Sequence, residues 1–115
     1  MSIVESPASL AERLPGGLLR NIISRLNPRR VIVFGSQATG RTHQDSDWDL
    51  LIVVDDDISP EKINWRAMHE VRRGINAAID LIPVRESRFR KKVGVVGSLP
   101  WIVANEGVVV YERAD

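Results

Sequence analysis

Apolar residues recur along this chain with two different periods. Leu18, Leu19, Ile22, Ile23 and Leu26 fall at helical spacing and stop at Asn27-Pro28, which predicts a helix. Residues 8–14 predict a shorter one, closed by Pro15-Gly16-Gly17. Val31-Ile32-Val33-Phe34 reads as a short buried strand running straight into Gly35-Ser36. Leu50-Leu51-Ile52-Val53-Val54 is apolar at every position, so a second strand is predicted with both faces covered, ending in Asp55-Asp56-Asp57. Ser59-Pro60-Glu61 carries the signals of a helix start: a capping serine, a proline in the first turn and an acid at the positive end of the dipole. Ile63, Ala67, Val71 and Ile75 then lie four apart, with Met68 and Ala78 beside them, predicting one helix from about 60 to 77. Ile79 to Val84 predicts a third strand, residues 86–93 a basic helix, and Leu99 to Asn105 a short helix that Gly107 ends. Val108-Val109-Val110-Tyr111 predicts a last strand. The sum is an α+β fold: a small mixed β-sheet with helices packed on it, in a single domain over 1–115, with residues 1–15 expected to be the least ordered stretch.

Bulk composition narrows the class. A chain of 115 residues builds one hydrophobic core and not two. A net charge of +1 supplies no field that would pull the molecule onto nucleic acid or membrane, so direct nucleic-acid binding is not expected. The absence of cysteine removes disulfides and thiolate metal sites and fits a cytoplasmic protein. Met1-Ser2-Ile3-Val4-Glu5-Ser6-Pro7 shows no basic region followed by an apolar stretch, so no signal peptide is expected. No apolar run approaches the ~20 residues of a membrane span.

The candidate chemistry lies in three acids and a turn. Ten residues separate Gly35-Ser36 from Asp47-Trp48-Asp49, and Asp80 interrupts the apolar run Ala78-Ile79-Asp80-Leu81-Ile82. Side chains alternate along a strand, so Asp47 and Asp49 point the same way, ~7 Å apart at ~3.3 Å per residue. That separation suits a pair of cations ~3.5–4 Å apart, and Asp80 on a neighbouring strand would close the site from the side. Glycine lets a phosphate approach the backbone, and the serine hydroxyl can donate to a phosphate oxygen. Asp45, Asp47 and Asp49 also imitate the start of a calcium-binding loop, but Leu50 stands where that loop needs glycine, and a strand follows. His43 and His69 read as solvated residues, Trp48 as core, and Trp65 and Trp101 as core or partly buried. The run Arg85 to Lys92 reads as a solvated face; Arg88 to Lys92, with Phe89 inside it, is the candidate docking surface.

Together these segments resemble the minimal nucleotidyltransferases of the DNA polymerase beta superfamily, whose signature is Gly-Ser followed about ten residues later by Asp-x-Asp. The resemblance runs through Val31 to Ser36, Ser46 to Leu51, Ile79 to Ile82 and Glu106 to Glu112. It implies a polymerase-beta-like fold and transfer of a nucleoside monophosphate, AMP from ATP, onto a hydroxyl. It also implies two Mg²⁺ ions, or Mn²⁺, held by Asp47, Asp49 and Asp80, with Asp80 on the catalytic ion and helping to deprotonate the acceptor. Gly35 and Ser36 would seat the β- and γ-phosphates. Relatives often carry basic residues after Gly-Ser; here Gln37 and Thr39 stand there, leaving Arg41 as the nearby cation for phosphate. The implied partner is a HEPN-type helical protein, paired as toxin with antitoxin, whose tyrosine receives AMP. The competing expectation is a non-catalytic antitoxin that neutralises its partner by contact alone. Acceptor, base and homo-oligomerisation stay open in the sequence.

Overall fold

The structure, a computed structural model, describes residues 6–40 and 47–114. Four strands form one mixed sheet: β1 (Arg30–Phe34), β2 (Trp48–Val54), β3 (Ile79–Arg85) and β4 (Val108–Glu112), in the order β3-β2-β1-β4. β1 runs antiparallel to both β2 and β4, while β2 and β3 are parallel. The fold is thus the mixed sheet that the apolar pattern predicts.

Helices cover both faces. On one side lie α1 (Pro7–Arg13), α2 (Leu18–Leu26) and α4 (Trp65–Arg72), whose Leu10, Leu18, Ile22, Met68 and Val71 pack with Val31, Val33, Leu50, Ile52 and Val54. On the other lie α5 (Glu86–Lys92) and α6 (Leu99–Glu106), where Phe89 and Val103 pack with Ile32, Leu51 and Val53. Successive residues of β2 therefore feed opposite cores, which is why that strand is apolar throughout. Gly107 ends α6 in an ordinary extended conformation rather than a left-handed one. Its requirement is space: a Cβ there would meet the Val103 carbonyl and lie 2.7 Å from Ile32 Cγ2.

The segment predicted as one helix from 60 to 77 is broken in two. Pro60–Lys62 is a 3-10 turn, and α4 starts afresh where the Asn64 side chain accepts a 2.9 Å hydrogen bond from the Ala67 N–H. Ser59 does not cap; its hydroxyl donates to Glu61 instead. α4 stops at Arg72, with Gly74 at φ 79°, so Ile75 continues the apolar stripe outside the helix. An Asx cap competes with helix continuation, and the apolar spacing does not register that competition.

Two aromatic expectations are also corrected. Trp65 is 74% exposed, because the restart at Asn64 turns the first residue of α4 outward. Phe89 is only 8% exposed and belongs to the second core, so it cannot anchor a partner. Around it the buried Glu86 carboxylate pairs with Arg30 at 2.7 Å and Arg90 at 2.8 Å, and the Arg30 guanidinium lies 5.2 Å from the Phe89 ring. The Glu86–Arg30 pair therefore holds α5 to β1, and Arg90 of the basic run is spent on the same carboxylate within α5. Among the described residues, no helix is long and apolar enough to cross a membrane.

Candidate active site

The sequence-predicted residues meet at one end of the sheet. β1 ends at Phe34 and turns through Gly35 into α3 (Ser36–Thr39). Gly35 has φ 74° and ψ −155°, a conformation that side chains essentially exclude. A Cβ at Gly35 would also collide with the Asp49 carboxylate. The glycine thus does two things at once: it makes the turn, and it lets backbone lie against an acid. α3 is a single turn, and its first N–H groups have no partner of their own in the helix, as at any helix start. The Gly35 carbonyl accepts from Ala38 and Thr39 at 3.1 and 3.2 Å, which fixes the turn.

Pairing places the acids. In the antiparallel β1–β2 pair Asp49 stands opposite Phe34, and in the parallel β2–β3 pair Asp49 stands beside Asp80. Both belong to the sheet face that Leu51, Val53, Ile82 and Val84 present to α5 and α6. Asp47 precedes β2 with the same alternation and is exposed. Trp48 between them points to the opposite core, buried, with the Arg13 guanidinium 5.4 Å from its ring. Asp80, although it interrupts an otherwise apolar run, is exposed on the edge strand, so burial does not compel it to find a cation.

Electrostatics register the convergence. Burial pushes the Asp49 carboxyl above its ordinary pKa, and the charges of Asp80 and then Asp47 push it further. No cation forms an ion pair with these three acids among the described residues. Nor do any three His, Asp or Glu side chains among the described residues already sit close enough together to hold a metal ion. The arrangement is a set of repelling carboxylates, converging but not closed. Arg41, expected to contact phosphate, lies outside the described residues, as do Asp45 and His43.

Sequence reading missed one feature. Asp47 and Asp80 share a cleft of about 590 Å³ lined also by His69, Arg72, Arg73 and residues 77–79 that lead into β3. The Arg72 Nη1 donates to the Ile79 carbonyl at 2.9 Å, tying the end of α4 to the start of β3. The signal was available: a histidine and two arginines close the helix just before the strand that carries Asp80. Only the parallel crossover, which a linear reading does not reveal, brings them to the carboxylates.

One glycine turn and two register-matched acids at one end of a mixed sheet are the arrangement that the nucleotidyltransferase resemblance implies. Residues 18–115 match the model of the family described as Polymerase beta, Nucleotidyltransferase. The chain belongs to that family. No match was found among curated protein sequences. Among solved structures it is similar to a toxin-antitoxin crystallised with AMP-PNP, at TM-score 0.58 and 16% identity over 84% of this chain and 72% of that one. It is also similar to the toxin-antitoxin MntA-HpeT in a mutant with two Asp-to-Glu replacements, at TM-score 0.52 and 19% identity over 84% of this chain and 68% of that one. At these identities the likeness speaks for the fold.

Proposed function

We propose that this chain transfers AMP from ATP to a hydroxyl of a helical protein partner, with Asp47, Asp49 and Asp80 as the metal-holding acids. The observation that carries the reading is the register match of Asp49 with Asp80, with Gly35 packed against the first of them. Three acids, the innermost of which has its pKa raised by burial first and then by the charges of the other two, are a donor set that fits hard divalent cations such as Mg²⁺ or Mn²⁺. Bound there, such ions would neutralise phosphate charge and favour the attacking oxygen. Gly35 and Ser36 hold the β- and γ-phosphates, with Arg41 contributing from the adjoining segment. The acceptor oxygen bonds to the α-phosphorus, the bond from that phosphorus to the bridging oxygen breaks, and pyrophosphate leaves. Asp80, exposed on the edge strand, receives the hydroxyl proton. Positioning and charge neutralisation supply most of what this chemistry needs.

The partner reading rests on the minimal-nucleotidyltransferase resemblance, and similarity to toxin-antitoxin complexes, one of them with AMP-PNP, supports it. A HEPN-type protein accepting AMP on a tyrosine is the partner of choice. A second reading has its own observation: Gln37 and Thr39 follow Gly35-Ser36 where relatives often carry basic residues, which thins a phosphate cradle that catalysis needs and contact alone does not. Label transfer decides. With α-³²P-ATP, Mg²⁺ and the partner, wild type should label the partner and Asp80→Asn should lose at least a hundredfold in rate while still binding it. An Asp80→Asn protein that neutralises the partner as well as wild type does would establish contact as the mechanism.

A further inference from the structure

The two sides of α4 are unlike. Met68 and Val71 are buried, whereas Trp65, His69 and the half-buried Arg72 follow one another at spacings of four and three on the adjoining stripe, with Arg66 and Arg73 on its outer side. Trp65 is exposed, and the Arg66 guanidinium lies 5.4 Å from its ring. The other end of this ridge opens into the cleft that Asp47 and Asp80 share. Glu70 takes up part of the Arg73 charge through a 3.5 Å pair that is itself exposed. Three arginines, Arg66, Arg72 and Arg73, against the one carboxylate of Glu70 leave the ridge itself net positive.

Position gives the ridge a direction. Gly35-Ser36 borders Asp49 from the β1 side, and the cleft lies beside Asp80 at the start of β3, which is the edge strand. A nucleotide seated on the glycine turn leaves the β3 edge as the approach for whatever is to be modified. We propose that the outer face of α4 docks an acidic surface of a partner protein, Trp65 entering an apolar pocket on it, and thereby brings the acceptor hydroxyl to Asp80 from the β3 edge. This rests on the transferase reading given above. An exposed tryptophan among arginines is the residue set that dominates protein–protein interfaces. A single-stranded polynucleotide would call for successive stacking platforms along its path, and the ridge offers one.

The test uses the acidic tyrosine copolymer poly(Glu,Tyr) as probe, with poly(Lys,Tyr) and an oligoadenylate RNA as comparisons, all with Mg²⁺ and a non-hydrolysable ATP analogue. The full chain should bind poly(Glu,Tyr) at least tenfold more tightly than poly(Lys,Tyr), and less tightly as salt rises. Arg72→Glu with Arg73→Glu should weaken that binding at least tenfold, and Trp65→Ala severalfold, with melting curves showing that each variant is folded. Equal binding of the two copolymers, indifference to the charge reversal, or displacement by the oligoadenylate would each overturn the proposal. Replacing the analogue by α-³²P-ATP separates the two readings. Charge-dependent binding without labelling sinks the transferase reading and keeps the docking face; labelling of both copolymers alike does the reverse.

Discussion

A carboxyl whose pKa is raised on folding binds protons more readily in the native chain than in the unfolded one. For Asp49, whose pKa is raised by burial and then by Asp80 and Asp47, stability must therefore fall as pH climbs from the ordinary carboxylate value through the raised one. Two outcomes follow. Asp49→Asn, which removes the repelled charge, should raise the melting temperature of the metal-free protein at pH 7 and leave it nearly unchanged at pH 3. Mn²⁺ should stabilise wild type strongly at pH 7 and weakly at pH 4, where protons compete for the same oxygens; thermal scans at both pH values measure this. Gly35 makes a sharper demand. Gly35→Ala should cost roughly 2 kcal/mol or more from the excluded backbone conformation alone, and the displaced Asp49 carboxylate should weaken Mn²⁺ binding beyond that, as titration calorimetry would show. The convergence of the acids and the glycine was legible in the sequence because strand alternation fixes which residues share a face. The basic cleft was not, because nothing in the spacing of His69, Arg72 and Arg73 says which strand they will face.

Elements were legible where burial alone decides them. The four strands, and the helices at 18–26 and 86–92, lie close to where the apolar periods put them. The helix expected over 60–77 failed because local hydrogen bonding at Ser59 and Asn64 overrode a correct apolar stripe. Asn64→Ala should then cost about 1 kcal/mol by removing the cap of α4, and urea unfolding is the check. On α5, the Glu86 carboxylate is buried between two arginines. Glu86→Gln should cost about 2–3 kcal/mol, since it strands the partly buried Arg30; loss restored by a paired Arg30→Met change would confirm the cause.

Across the whole molecule, the end opposite the candidate site is clasped by charge. Asp55, just past β2, takes Arg113 from beyond β4 at 3.0 and 3.1 Å and Arg29 from before β1 at 2.7 Å. Hydrogen bonding to Arg113, first, and then to Arg29 holds the Asp55 carboxyl below its ordinary pKa. Its contribution is full above the unfolded value and disappears as pH falls through the folded one, so acid should loosen this end while relieving repulsion at the other. The two ends thus respond to pH with opposite signs.

Asp49 and Asp80 hold adjoining positions only because β2 and β3 run in one register, and that register also seats Leu50 beside Leu81 and Leu51 beside Ile82. A slip of one residue would turn Asp80 toward the core of α2 and α4 and bring leucine into its place. The frame that shields the oily interior is therefore the frame that aligns the acids. Lengthening the connection between the strands is compatible with such a site, whereas one residue inserted between Asp80 and Ile82 dismantles core and chemistry together.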